Sequence, residues 1–272
     1  MKNNICSSDA KALQERAANA KFVFYSFSGG RDSALAMYLT LQKFRQLGKV
    51  IAAIFVDSGD ELPGLSEHVK NVCDWLGVNL VVLNGATFAE LYGKNQRFPD
   101  SIHMDCIERL INKPMDKYMT AYTNGEDYVL VRGGRSDQKR PESGTKLYQT
   151  VKGKPNMIIY NPLYEYDPTD VGEEALERLT WEGYKKGFVR TACFCCPFQK
   201  PQQWEALKEN FPALHEKLKR MFTTYTFVLH PGDGHVRYIS DYWIKKEFTP
   251  VKFEYAPKRR EMMMSDQTMA DT

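Results

Sequence analysis

Apolar and polar positions separate short strands from helices over roughly the first 160 residues of the chain. Residues 22–25 are apolar or aromatic and predict a buried strand, and apolar side chains then recur at helical spacing from Ala34 to Leu41. Alternating strands and helices predict parallel βαβ units, and hence an α/β fold with a mostly parallel sheet. The same pattern predicts further strands from residue 50 and at 80–83, 127–132 and 157–160, and helices at 8–20, 66–76 and 104–122.

The pattern changes after residue 190. Residues 227–243 contain a Pro-Gly-Asp-Gly turn and predict a hairpin. We expect an α/β domain at 1–190, a helical, cysteine-containing part at 191–256 and a disordered tail at 257–272. Residues 200–222 predict a pair of amphipathic helices, whose inward positions are Trp204, Leu207, Phe211, Leu214 and Leu218.

The composition of the chain argues against some classes of protein. The chain has 272 residues, of which 43% are hydrophobic and 26% charged, as in ordinary globular proteins. A net charge of +3 gives no overall field for nucleic-acid binding. No apolar run approaches the roughly 20 residues that span a membrane, and the first residues are polar, so we expect a cytoplasmic protein that does not contact membranes. Six cysteines in such a protein are more often free, catalytic or metal-bound than paired in disulfides.

The segment between the first strand and its helix, SGGRDS at 28–33, has the composition of a phosphate-binding loop. Gly29 and Gly30 let a ligand approach the main chain, and the following helix offers unpaired N–H groups. The hydroxyls of Ser28 and Ser33 can donate to phosphate, while Asp32 either holds Mg²⁺ or caps the helix. An ordinary tight turn with Asp32 as N-cap is the alternative. No Gly-Lys-Ser/Thr follows, so this is not a Walker A loop, and a dinucleotide-binding loop would have a third glycine.

Polar clusters follow four of the predicted strands: SGGRDS, DSGDE at 57–61, GGRSDQKR at 133–140 and NPLYEYD at 161–167. In parallel α/β sheets, ligands bind outside the carboxyl ends of the strands. The four clusters therefore predict one binding edge.

Read together, these clusters resemble a known family. SGGRDS resembles the PP-loop of the adenine nucleotide alpha hydrolase superfamily, and the segment beginning FVDSGDELPG at Phe55 resembles the acidic strand end of phosphoadenosine phosphosulfate (PAPS) reductase-like proteins. GGRSDQKR is similar to a third family segment, with Asp137 in its acidic position, and NPLYEYDPTDV to a fourth, with Tyr166 in place of tryptophan. The resemblance covers roughly residues 20–200 and implies a doubly wound sheet of the HUP type.

The resemblance also implies a nucleotide site for ATP or PAPS, with Mg²⁺. Asp32 and Arg135 would take part in catalysis. For Arg135 and Arg140 the alternative is a solvated charged loop. For Asp57 the alternative is a turn at the strand end, and Glu61 is a weaker candidate. The implied nucleotide-binding residues are Ser28, Gly29, Gly30, Arg31, Asp32, Ser33, Asp57, Gly133, Arg135 and Arg140.

The cysteines suggest a second centre. Cys193 and Cys196 form a C-x-x-C pair that can reach one metal or cluster. Cys106 lies in a segment similar to one in phage PAPS reductase-like proteins and in the sulfur-transfer component of DNA phosphorothioation systems, although Ile111 stands where that pattern has lysine. In those relatives distant cysteines bind a four-iron four-sulfur cluster, so the resemblance implies one here.

Several interpretations of the cysteines stay open. Cys195 is either a fourth ligand or a catalytic sulfur carrier, zinc is the alternative metal, and reduced buried cysteines are the alternative to any metal. Cys6 and Cys73 are expected to be structural. No cysteine follows Cys196, whereas assimilatory PAPS reductases carry a C-terminal catalytic cysteine.

The sequence therefore predicts an enzyme, a PP-loop ATP pyrophosphatase or sulfurtransferase that couples nucleotide cleavage to sulfur transfer. A sulfonucleotide reductase with a relocated cysteine, and a non-catalytic binding partner in a phage or defence assembly, are the alternatives. Besides the nucleotide, the candidate partners are a sulfur-donor protein such as a cysteine desulfurase, a nucleic acid, and a second copy of the chain.

Overall fold

A computed structural model describes residues 7–100, 105–135, 146–164, 171–191, 193–229 and 235–255. Arg140, Asp137, Tyr166, Cys6 and the tail at 257–272 lie outside the described residues, so the predictions made for them stay predictions.

Six strands form the central sheet, in the order β3-β2-β1-β4-β6-β5. All neighbours are parallel except β5, which runs antiparallel to β6. The chain moves outward from β1 to β3 and then returns to the other side of β1, so the order of connection reverses between β1 and β4. The strands are β1 (Phe22–Ser26), β2 (Val50–Asp57), β3 (Leu80–Asn84), β4 (Tyr128–Val131), β5 (Tyr148–Val151) and β6 (Lys154–Tyr160).

Helices cover both faces of this sheet. One core cluster joins Val23 and Tyr25 of β1 to helices on one face, and a second joins Phe22 and Phe24 to Met119 on the other. Because β1 is covered on both faces, its side chains are apolar at every position from 22 to 25 rather than at alternate ones. The predicted doubly wound α/β fold is confirmed. The helices of the first face are α1 (Ser7–Asn19), α2 (Arg31–Gln46), α3 (Leu65–Leu76) and α6 (Glu173–Leu179), and that of the second is α5 (Lys113–Thr123).

Two local differences from the sequence pattern occur in this part. The predicted helix at 104–122 is a π-helical turn, Ile107–Asn112, followed by α5. Pro114 is the second residue of α5, directly after the π-helical turn, so its missing N–H falls where the helical hydrogen-bonding pattern changes. Strand β5 was not predicted, because its residues are half-buried or exposed and lack an apolar run.

A third core cluster holds the C-terminal part and is centred on Trp204, Phe222 and Trp243, which are fully buried. The cluster also takes in Phe88 and Phe98, so the two parts of the chain share a core; the domain boundary at 190 stays a prediction. The elements here are α4 (Phe88–Tyr92), a 3₁₀ helix (Glu182–Lys186), α7 (Pro201–Asn210), α8 (Pro212–Thr224), β7 (Thr226–Leu229), α9 (His235–Ile239), a π-helix (Ser240–Lys246) and β8 (Lys252–Tyr255).

The predicted helix pair is confirmed, but the predicted hairpin at 227–243 is wrong. Strand β7 pairs in parallel with β8, and residues 235–246 are helical. Ile239, Tyr242 and Trp243 lie at helical spacing and are all buried. Burial of these large side chains favours the helix over a hairpin. Among the described residues, no helix has the length and apolar character needed to cross a bilayer.

Candidate functional site

The loop between β1 and α2 lies next to the point where the strand order reverses, which is where open α/β sheets bind ligands. Gly29 has a φ of +73°, a conformation that favours glycine. A Cβ at this position would lie 2.6 Å from Cδ1 of Leu65 and 3.0 Å from Cγ2 of Val69. Backbone conformation and packing against α3 therefore both require glycine here.

Gly30 is the N-cap of α2, and no side chain caps this end of the helix with a hydrogen bond. Asp32 lies inside the first helical turn, so the alternative with Asp32 as N-cap is wrong. The Ser33 hydroxyl donates to the Gly30 carbonyl at 2.8 Å, and the Ser28 and Ser33 hydroxyl oxygens are 3.2 Å apart. The Gly30 N–H donates to the Ser28 hydroxyl oxygen at 3.4 Å, so the two hydroxyls lie at the start of α2, whose first N–H groups have no partner within the helix.

Gly133, just beyond β4, packs directly on the start of α2. A Cβ on Gly133 would lie 2.5 Å from the Asp32 carbonyl carbon and 2.6 Å from the Ser33 backbone nitrogen. Two residues later, Nη1 of Arg135 lies 3.1 Å from Oδ2 of Asp32. The structure thus brings together Asp32, Gly133 and Arg135, three of the residues predicted from sequence.

Asp57 ends β2 and uses both carboxylate oxygens locally. Oδ1 accepts from the Gly59 N–H at 2.8 Å, and Oδ2 accepts from the Ser66 hydroxyl at 3.2 Å. These contacts support the turn-forming interpretation, and a role for Asp57 in ligand binding stays a prediction.

The cysteine loop, residues 193–196, lies against the segment that follows Asp57. Glu61 and Cys193 form an antiparallel β-bridge, and the Phe194 N–H donates to the Asp60 carbonyl at 2.8 Å. Oγ of Ser58 is 3.9 Å from Sγ of Cys193 and donates to Oε1 of Glu61 at 2.9 Å. The acidic strand end and the cysteines, predicted separately, therefore form one continuous site.

Cys106, at the start of the π-helical turn before α5, lies near the cysteine loop. Cys106, Cys193 and Cys195 all belong to or pack on the C-terminal core cluster. Burial raises the pKa of Cys106, and the neighbouring Cys196 raises it further. Cys196 thus lies within electrostatic reach of each of the other three predicted ligand cysteines. As they stand, no three Cys, His, Asp or Glu side chains in the described part of the chain are close enough to hold a metal ion.

Burial holds these thiols in the neutral form. It raises the pKa of Cys193, of Cys196 and, most strongly, of the fully buried Cys195. Only Cys196, among these four thiols, is next to a described cation: Nη2 of Arg190 donates to its Sγ at 3.3 Å, which partly offsets the increase. Cys73 is buried in α3, as expected of a structural cysteine, and burial raises its pKa to about 12.

The carboxyl groups beside the cysteines also have shifted pKa values. Burial raises the pKa values of Asp60 and Glu61, although the Phe88 N–H and the Ser58 hydroxyl respectively donate to them and lower the values in part. From the sequence Glu61 is a weak candidate and Asp60 is not one, because only the tertiary structure shows that both lie beside the cysteine loop.

Tyr184 and Thr191 were also missed. Their oxygens would lie 3.7 Å and 3.0 Å from a Cβ on Gly30. They therefore line the loop 28–33, called here the phosphate-type loop, from outside it. A tyrosine and a threonine in a polar segment carry no motif that could have identified them.

Comparison with known proteins identifies relatives of this chain. An uncharacterised protein of Methanocaldococcus jannaschii is 29% identical over 234 residues, which cover 83% of this chain and 45% of that protein. An uncharacterised nin region protein of Escherichia phage lambda is 25% identical over 242 residues, covering 77% of this chain and 76% of that one. The chain spans about half the length of the archaeal relatives that it matches.

Among solved structures, a PAPS reductase from Candida auris, in a phosphate complex, superimposes with a TM-score of 0.46 and 15% identity, over 67% of this chain and 87% of that one. A U34-tRNA thiolase from Methanococcus maripaludis with its [4Fe-4S] cluster gives a TM-score of 0.36 and 15% identity, over 78% of each chain. The phosphoadenosine phosphosulfate reductase domain model matches residues 22–199, which are most of the chain and include every residue of the site described above. The chain therefore belongs to the phosphoadenosine phosphosulfate reductase domain family.

Proposed function

We propose that this protein binds an adenine nucleotide, ATP or PAPS, at the loop 28–33 and couples its cleavage to sulfur transfer at the cysteines. One observation carries the proposal: a single short segment touches both halves of the site. Thr191 lies beside Gly30, and Cys193, two residues later, lies beside Ser58 and Glu61. Two residues of any conformation span at most about 7 Å, so a phosphate at the loop and a sulfur at Cys193 would be close neighbours.

The residues of the loop suit a polyphosphate. The N-terminal N–H groups and dipole of α2 favour an anion, and the serine hydroxyls add neutral donors. Arg135 supplies a planar donor that suits a tetrahedral oxyanion. In the ATP reaction an acceptor oxygen would attack the α-phosphorus and pyrophosphate would leave, with its developing charge stabilised by these groups. Mg²⁺ would be held by the phosphates and Asp32, which now pairs with Arg135.

The donor set of the second centre fits an iron–sulfur cluster, with zinc as the alternative. Cys106, Cys193 and Cys196 would hold it, and Cys195 would be the fourth ligand or a sulfur carrier. The full burial of Cys195 favours the ligand role. A cluster with an open iron would supply a site for sulfide. Because burial keeps the thiols neutral in the free protein, binding of the metal must release protons.

A second candidate is a sulfonucleotide reductase with a relocated catalytic cysteine. Arg190 favours it, since a cation beside Cys196 promotes the reactive thiolate. We nevertheless rank it second, because a reductase needs a mobile thiol that attacks sulfur and a second thiol that resolves the product.

Gly30→Val tests the nucleotide site. The new side chain would meet Oγ1 of Thr191 and Oγ of Ser28 at 3.0 Å and 3.4 Å and would fill the place where phosphate is expected. Gly172→Val is the matched control, because Gly172 is also an N-cap with extended backbone but has no neighbour within 4 Å. Calorimetry should show that Gly30→Val loses affinity for ATP·Mg²⁺ or PAPS while the control keeps it. Equal affinity in both variants would refute the site.

The products then separate the candidate reactions. Pyrophosphate release from ATP identifies the leading proposal, sulfite release from PAPS with reduced thioredoxin identifies the reductase, and binding without either product identifies a non-catalytic partner. We expect no sulfite above background. Sulfite production that is lost in Cys195→Ser or Cys196→Ser would make the reductase the better proposal. The proposal also includes three candidate partners: a protein that donates sulfur, a nucleic acid that accepts it, and a second copy of the chain.

A further inference from the structure

The segment between α6 and the cysteine loop, called here the covering segment, lies against the loop 28–33, since Tyr184 and Thr191 are both beside Gly30. Tyr184, in the 3₁₀ helix Glu182–Lys186, is half-buried and its ring packs edge-on against Trp181, with centroids 5.8 Å apart. The Trp181 side chain is buried in the C-terminal core cluster, so Tyr184 is held by a rigid neighbour.

The Tyr184 hydroxyl occupies the N-terminal end of α2. Its oxygen would lie 3.7 Å from a Cβ on Gly30, the N-cap of α2; burial raises the pKa of Tyr184, while the nearby Arg31 backbone N–H and Thr191 hydroxyl lower it in part. The Arg31 N–H is one of the helix N-terminal donors that have no partner within the helix. A phenol oxygen therefore lies where an oxygen of a bound phosphate would be expected.

Around Gly30 the chain assembles four hydroxyl groups from two distant segments. Ser28 and Ser33 belong to the loop itself, and their oxygens are 3.2 Å apart. Tyr184 and Thr191 come from the covering segment, about 150 residues later in the sequence, and lie 3.7 Å and 3.0 Å from the ideal Cβ position of Gly30. A hydroxyl can both donate and accept, so each group can turn from its present partner to a phosphate oxygen without being ionised.

We propose that Tyr184 and Thr191 are phosphate-positioning residues, whose hydroxyls donate to the nucleotide phosphate and so complete the site from outside the loop. The inference rests on the proposed nucleotide function and adds a part of the site that the sequence motif does not contain. Because Thr191 is two residues from Cys193, phosphate binding at Thr191 also fixes the position of the cysteine loop.

Removal of single hydroxyls tests the inference. Tyr184→Phe and Thr191→Val keep the shape of each side chain. Each should weaken the binding of ATP·Mg²⁺ and of inorganic pyrophosphate by roughly tenfold, as expected for a hydrogen bond to a charged group. Thr191→Ser restores the hydroxyl and should recover affinity to within about threefold of the original, a rescue that a purely structural role for the methyl group would not give. Calorimetry measures all three variants.

The matched controls are Tyr122→Phe and Thr223→Val, which remove the same groups from exposed positions on α5 and α8. Thermal unfolding without ligand separates folding from binding, because each variant must first melt within a few degrees of the original protein.

If the original protein binds neither ATP nor pyrophosphate, the proposed function fails and the inference falls with it. If it binds them and both Tyr184→Phe and Thr191→Val bind equally well, the function stands and the inference is overturned. Loss of affinity that Thr191→Ser does not recover assigns Thr191 a packing role and overturns its part of the inference.

Discussion

Replacement of Gly133 by alanine should disturb the phosphate-type loop without touching any of its own residues. The new methyl carbon would lie 2.5 Å from the Asp32 carbonyl carbon and 2.6 Å from the Ser33 backbone nitrogen. Carbon atoms in contact normally lie about 3.5 Å apart or more. The loop after β4 and the start of α2 must therefore separate by about 1 Å. The atoms in the way belong to the backbone, so rotation of a side chain cannot relieve the overlap.

Two effects follow, one on stability and one on function. Overpacking of this kind typically costs about 1–3 kcal/mol of unfolding free energy. In a protein of this length that corresponds to a fall in melting temperature of roughly 2–12 °C. The functional loss should be of similar size in free energy, because a 1 Å displacement of groups that bind the reacting part of a substrate can cost up to about a hundredfold in rate, which is about 2.7 kcal/mol. Arg135 would also move away from Asp32.

Differential scanning calorimetry measures the stability of Gly133→Ala, and titration with ATP·Mg²⁺ measures its binding. Gly172→Ala is the control, because its φ of −62° suits alanine and no atom lies within 4 Å of the new methyl group. We expect the control to melt at or slightly above the original temperature. If Gly133→Ala melted and bound nucleotide as the control does, the close packing of β4 on α2 would be refuted as a requirement of the site.

Three further predictions concern the cysteines. Cys73 should make the protein less stable at high pH: an unfolded thiol ionises near pH 8.5 and the folded one near 12, so its contribution is complete below about 8.5 and falls by about 1.4 kcal/mol per pH unit above it. Urea unfolding at pH 8 to 11 should therefore show a steeper decline in the original protein than in Cys73→Ala, and parallel declines would contradict this. Arg190→Ala should slow alkylation of Cys196 by iodoacetamide at pH 8, because it removes the cation that favours the thiolate; an unchanged rate would show that the contact does not affect reactivity. Cys106→Ser should lower the iron and acid-labile sulfide retained after anaerobic reconstitution, whereas stoichiometric zinc without sulfide in the original protein would replace the cluster with a zinc site.

The sequence by itself determined the five parallel strands of the sheet and the position of the phosphate-type loop. Apolar runs such as 22–25 identify strands covered on both faces, and the positive φ of Gly29 agrees with the glycine that the motif places there. These features are local: each depends on the backbone preference of a few consecutive residues and on whether they are apolar. The order of the polar clusters along the chain then sufficed to predict that they share one edge, because parallel strands place their carboxyl ends together.

Only the tertiary structure decided what meets at that edge. Gly133 requires glycine because α2 packs on it, and Glu61 matters because Cys193 is bridged to it. The turn sequence at 231–234 predicted a hairpin, yet the burial of Tyr242 and Trp243 in the C-terminal core favoured helix for the residues that follow. Such outcomes depend on contacts between residues distant in sequence, whose burial energies outweigh local propensity. The same long-range packing brings Tyr184 and Thr191 to the loop around Gly30, where no pattern in their own segment predicts them.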